Sequence, residues 1–67
     1  MTVRVNGEPR ELDDATSVAD IVRSLVENAE RGVAVALDGD VVPRSEWEST
    51  PLRDGARVEV LRAVQGG

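Results

Sequence analysis

Ser17-Val18-Ala19-Asp20-Ile21-Val22-Arg23-Ser24-Leu25-Val26-Glu27-Asn28-Ala29-Glu30-Arg31-Gly32 is the stretch on which the fold turns. Val18, Ile21, Val22, Leu25, Val26 and Ala29 recur at helical spacing and form one apolar stripe, with Arg23, Glu27 and Glu30 off it. Thr16 or Ser17 can cap the start, and Asp20 in the first turn suits the positive end of the helix dipole. Arg31 and Gly32 supply the stop. No other segment carries a broad helical stripe, so the rest of the chain must build the surface on which this helix lies.

The flanks alternate instead at period two. Before the helix, Thr2 to Asn6 places Val3 and Val5 on one face and reads as a strand. Asn6-Gly7 is the strongest short hairpin signal, because both residues tolerate the positive φ of a type I′ turn. A second strand is expected over Arg10 to Asp13, with Pro9 near its start marking an edge. Asp13-Asp14 reads as the polar lead-in to the helix rather than a catalytic dyad.

After the helix, Val33-Ala34-Val35-Ala36-Leu37 is a short strand whose large residues share one parity and whose alanines share the other. Asp38-Gly39-Asp40 lacks the spacing and terminal Glu of a calcium loop and reads as a tight turn. Val41-Val42 forms a brief strand stopped by Pro43. Arg44 to Thr50 is polar, with a helical turn expected around Trp47. Pro51 and Asp54-Gly55 are breaks, and Arg57 to about Val64 is the last strand, with Val58 and Val60 pointing inward.

The order is strand, strand, helix, strand, short strand, strand. Its economical packing is one mixed sheet of four to five strands with the single helix across one face, an α+β architecture. The helix is expected to cross over and return the third strand parallel to the first. This order is that of the β-grasp, or ubiquitin-like, fold. Residues 1–64 are expected to be one domain and residues 65–67 a bare Gln-Gly-Gly tail.

Composition narrows the chemistry. A chain of 67 residues makes one small domain with no room for an interior substrate pocket, so its work is expected at its surface or ends. Cysteine, histidine, lysine, tyrosine and phenylalanine are absent. That removes disulfides, thiol nucleophiles, thiolate or imidazole metal sites and the usual general base. Lysine's absence also leaves no internal side-chain amine to attack an activated terminus, although an arginine-biased composition accounts for it more simply. The formal charge of −5 disfavours nucleic acid and anionic membranes and suits a partner with a basic docking face. No apolar run nears the ~20 residues of a membrane span, and the first residues lack the apolar core of a signal peptide, so a cytoplasmic location is expected.

Chemistry is left to the ending. Two terminal glycines arise by chance in roughly 0.5% of sequences of average composition. Glycine has no side chain and adopts almost any φ/ψ, so Gly66-Gly67 can thread a narrow channel and carry a carboxylate into another enzyme's site. The plain alternative is a frayed, solvated end.

The length, the element order, Val42-Pro43-Arg44-Ser45-Glu46-Trp47, Asp54-Gly55 and Gln65-Gly66-Gly67 together resemble the ThiS family, the ubiquitin-like sulfur carriers of thiamine biosynthesis. The Gly-Gly end is shared by ubiquitin-like carriers in general; the Val-Pro-Arg-x-x-Trp stretch carries the pathway assignment. The resemblance implies a carrier or co-substrate, not an enzyme, with no catalytic or metal-ligating residues of its own. A ThiF-like adenylating enzyme would use MgATP to adenylate Gly67, a persulfide donor would convert it to a thiocarboxylate, and a ThiG-like thiazole synthase would take the sulfur. No cofactor would be held stably by the chain, which is expected to be a monomer when free. Gly66 and Gln65 would thread the partner's active site.

Docking candidates follow from strand parity. If Val33, Val35, Leu37, Val58 and Val60 face the helix, then Ala34, Ala36, Leu61 and Ala63 form an apolar patch on the other face beside the tail. Trp47, the sole aromatic residue, reads first as a plug at the edge of the core and second as a partner contact. Arg44 can dock an acidic partner patch or hold the Pro43 turn. Three alternatives stay open: a carrier for a molybdopterin-type pathway, a protein modifier joined through Gly67, and a non-covalent interaction module.

Overall fold

The computed structural model describes residues 1–25 and 32–62. The Asn6-Gly7 hairpin forms, joining β1 (Thr2–Val5) antiparallel to β2 (Glu8–Glu11). Asn6 and Gly7 have φ of 51° and 86°, the pair of positive values that a type I′ turn requires. β2 begins two residues earlier than the sequence reading placed it. A two-residue turn fixes the register, setting Val5 opposite Glu8 and Thr2 opposite Glu11, so pairing starts as soon as the turn closes. Pro9 lies in this strand, which is exposed throughout and forms one edge of the sheet.

Helix α1 (Val18–Leu25) is capped by Ser17. The Ser17 N–H donates to Asp20 Oδ2 at 2.9 Å and the Asp20 N–H donates back to Ser17 Oγ at 3.3 Å, a reciprocal box that satisfies two otherwise orphan donors. The bond from the Ser17 N–H, followed by that from the Arg23 guanidinium at 2.9 Å, holds the Asp20 carboxyl below its ordinary pKa. Val18, Ile21 and Val22 are buried and Leu25 half-buried, as the stripe predicts. The expected remainder of the helix, through Ala29 to the stop at Arg31, lies outside the described residues.

β3 (Val33–Leu37) and β4 (Asp40–Val42) form a second hairpin, and β5 (Arg57–Arg62) closes the fold. The strand order is β2-β1-β5-β3-β4. β5 lies between β1 and β3, parallel to the former and antiparallel to the latter. β3 therefore runs antiparallel to β1, which corrects the expected parallel return. A crossover returns the chain in the direction from which it left, and it leaves from β2, already reversed by the hairpin. The strand parallel to β1 is the last one.

Val3, Val5, Val35, Val58 and Val60 from the sheet meet Val18, Ile21 and Val22 from α1 in the core. Val33 and Leu37 are half-buried against it. Ala19 and Leu52 join the core as well, and so does Ala56, which extends the inward alternation of Val58 and Val60. The segment after β4, which contributes Leu52 and Ala56, caps the helix: the Trp47 and Thr50 carbonyls accept from the N–H groups of Ala19 (3.1 Å) and Val18 (2.9 Å). Among the described residues, no helix is long and apolar enough to cross a membrane.

Candidate functional site

β5 is the strand that leads to the chain's ending, and it occupies the middle of the sheet. Gly67, Gly66, Gln65 and Ala63 lie outside the described residues; the described chain stops at Arg62. The described part of the site is the sheet face around the end of β5.

Along β5, Val58 and Val60 are buried while Arg57, Glu59 and Leu61 face the other way, as period-two alternation demands. Ala34 sits directly opposite Leu61, and both are exposed, Leu61 to 67%. Ala36 is half-buried and lies between Glu59 on β5 and Val41 on β4. Val41 is 75% exposed; it and Leu61 are the exposed large apolar side chains among the described residues. Two bulky groups thus stand on either side of the alanines of β3, which leave a shallow apolar trough between them. At its β5 end the trough opens into a depression lined by Gly32, Val33, Ala34, Leu61 and Arg62. The sequence reading brought Leu61, Ala34 and Ala36 together and missed Val41. The signal was present: adjacent residues of a strand face opposite sides, so with Val42 in the core Val41 must point out.

The Val42-to-Trp47 stretch takes the core role. Trp47 is 6% exposed, and its Nε1–H donates to the Val42 carbonyl at 2.9 Å, so the one polar atom of the indole is satisfied inside the fold. Pro43 and Arg44 carbonyls accept from Glu46 (2.8 Å) and Trp47 (3.2 Å), forming the short 3-10 turn Arg44–Glu46 that swings the indole inward. Arg44 is exposed and forms no ion pair among the described residues. Trp47 and Arg44 are distinct from the trough: one is a plug, the other a surface cation. Asp38-Gly39 forms the β3–β4 turn, and among the described residues no three His, Cys, Asp or Glu side chains converge as metal ligands.

Comparison with known proteins adds matches in both sequence and fold. The ThiS family model matches residues 3–67, which includes the Gly-Gly ending. Over 65 residues the chain is 42% identical to the sulfur carrier protein ThiS of Thermus thermophilus, covering 97% of this chain and 98% of that one. The crystal structure of the thiamine biosynthesis protein ThiS from Geobacter metallireducens superposes with a TM-score of 0.80 at 32% identity, with full coverage of both chains. A solution structure of a thiamine biosynthesis protein from the same organism gives 0.80 at 36% identity, over all of this chain and 88% of that one. Sequence and fold agree across the whole length, and this chain belongs to the ThiS family.

Proposed function

We propose that this chain is a sulfur carrier of thiamine biosynthesis and that its reacting group is the carboxylate of Gly67. The observation that carries the reading is the extent of the family match, which runs through Gly66-Gly67, on a fold whose central strand leads to that ending. The chain is a co-substrate: it is acted on by partner enzymes of sulfur transfer and does not catalyse the transfer itself.

The chemistry follows from the carboxylate's low reactivity. A Gly67 oxygen attacks the α-phosphorus of ATP in an adenylating partner, pyrophosphate leaves, and an acyl-adenylate forms. The terminal sulfur of a donor persulfide then attacks the acyl carbon and AMP departs, leaving an acyl disulfide. A thiol cleaves its S–S bond, so the terminal sulfur stays on Gly67 as a thiocarboxylate. MgATP belongs to that partner, a ThiF-like enzyme, and a ThiG-like thiazole synthase receives the sulfur. Gly66 and Gln65 provide clearance in the partner's channel. The trough of Leu61, Ala34, Ala36 and Val41 is the docking face, and Arg44 is a peripheral contact.

Intact mass after incubation with the host's adenylating enzyme, MgATP and a persulfide donor tests the reading. A gain equal to the exchange of oxygen for sulfur is expected, and a chain lacking Gly67 should show none. No gain with partners of demonstrated activity would overturn it. Leu61→Asp should slow thiocarboxylate formation by at least tenfold while leaving the circular dichroism spectrum unchanged, because it sets a charge in the centre of an apolar interface. Unaltered turnover would remove the trough from the docking face.

A further inference from the structure

β1 ends before β5 does. Their parallel ladder pairs Arg4 with Arg57 and Val5 with Val58, and beyond it the Asn6 N–H donates to the Val58 carbonyl at 2.9 Å. Asn6 then enters the turn and the chain leaves the sheet. Alternate residues of a strand present their N–H and C=O to the same edge, so Val60 directs both groups to the side that β1 has just vacated. Val60 is 8% exposed, and leaving its backbone unpaired there would cost the desolvation of two polar groups.

The Asn6 side chain stands in for the missing residue. Its Oδ1 accepts from the Val60 N–H at 2.8 Å, and its Nδ2 donates to the Val60 carbonyl at 3.2 Å. A carboxamide offers one acceptor and a planar donor, the same set as a peptide group, so the ladder gains one more rung without more strand. Asparagine alone meets both demands of the position. It tolerates the φ of 51° that the turn imposes, and it supplies donor and acceptor together. Glycine meets only the first demand, and aspartate supplies only the acceptor.

We propose that Asn6 is a positioning residue for sulfur transfer: by pairing with Val60 it fixes the outgoing half of β5, from which the Gln65-Gly66-Gly67 ending is delivered to partner active sites. This rests on the reading of Gly67 as the reacting terminus. A terminus that must enter a narrow site binds with less entropic loss when the strand beneath it is already ordered.

The test compares the native chain with Asn6→Gly and Asn6→Asp at a temperature where circular dichroism shows all three fully folded. Amide hydrogen exchange is read at Val60, with Val35 in the core as reference, and KM and kcat are measured for adenylation with the carrier as the varied substrate. In Asn6→Gly, Val60 should exchange about tenfold faster, the scale set by two neutral hydrogen bonds, while Val35 is unchanged. KM for the carrier should rise several-fold at constant kcat. Asn6→Asp keeps the acceptor but sets a carboxylate oxygen against the Val60 carbonyl, so Val60 should again exchange faster than in the native chain, and this variant carries the test alone if the glycine variant does not fold. Native-like exchange at Val60 would overturn the anchor. Faster exchange with unchanged KM would overturn the positioning role and leave Asn6 a turn residue. If the native chain is not adenylated at all, the reading of Gly67 fails and the delivery role falls with it, while exchange at Val60 still decides whether the anchor exists.

Discussion

The two hairpin turns of this protein have nearly the same backbone and grip the same strand with different chemistry. Asn6-Gly7 has φ of 51° and 86°, and Asp38-Gly39 has φ of 51° and 91°. Each turn's first residue reaches β5, from opposite neighbours in the sheet. Asn6 engages both backbone groups of Val60 with its side chain. Asp38 accepts the Arg57 N–H at Oδ1 (2.9 Å) and must use its own backbone N–H to serve the Arg57 carbonyl (2.8 Å). The difference is one of inventory: a carboxylate accepts only, so the donor has to come from the main chain, whereas a carboxamide brings both. Asp38 therefore tethers the start of β5 where its own strand hairpin is close enough to offer a peptide group. Asn6 tethers the later part, where β1 has no peptide left to offer.

The largest effect should come from removing these side chains. Asn6→Ala strips two hydrogen bonds from the backbone of buried Val60 and sets a residue without asparagine's tolerance of the left-handed region at φ 51°, for a loss of about 2–3 kcal/mol in urea unfolding. Asp38→Ala loses one side-chain bond at an exposed site, so about 1–2 kcal/mol is expected. Equal losses would break the comparison. Gly7→Ala and Gly39→Ala should each cost about 1 kcal/mol and match one another, because a Cβ at either site meets nothing within 4 Å and the penalty is purely one of backbone conformation. A marked inequality in thermal melts would show that the two turns are not the same backbone problem.

The smallest effect separates acidic grips from the neutral one. Asp20, like Asp38, accepts a backbone N–H, and its carboxyl is held below its ordinary pKa by Ser17 first and Arg23 second. A depressed folded-state value gives stability that is present above the unfolded pKa and lost as pH falls through the folded one. Acid titration of stability should therefore show a shallow loss below about pH 4, flattened in Asp20→Asn. Amide exchange at Val60, held by an uncharged amide, should show no matching step beyond the intrinsic pH dependence of exchange.

Much of the fold was legible because its signals are local. Asn6-Gly7 announced a hairpin and Asp38-Gly39-Asp40 a tight turn through residue types that tolerate positive φ, and the alternation of Val33, Val35 and Leu37 against Ala34 and Ala36 announced a strand with one buried face. The stripe from Val18 to Leu25 announced the helix and the face that it buries. The trough was half legible: parity brought Leu61 and the alanines to one side, but the partner of Ala36 is Val41, and that pairing exists only once β4 folds back in register.

What the sequence by itself determined is thus the set of elements, their inward faces and the Gly66-Gly67 ending, because periodicity, capping and turn chemistry act over a few residues. Tertiary structure decided where β5 goes. Its insertion between β1 and β3 makes the first and last strands parallel, leaves β3 antiparallel to β1, and brings residues 54 positions apart, Asn6 and Val60, within hydrogen-bond reach. It also buries Leu52, which no local pattern marks, because Leu52 belongs to a loop laid over the helix start, its N–H donating to the Thr16 carbonyl at 3.0 Å. Such choices depend on which arrangement covers the most apolar surface while pairing every strand's backbone, a property of the whole chain at once.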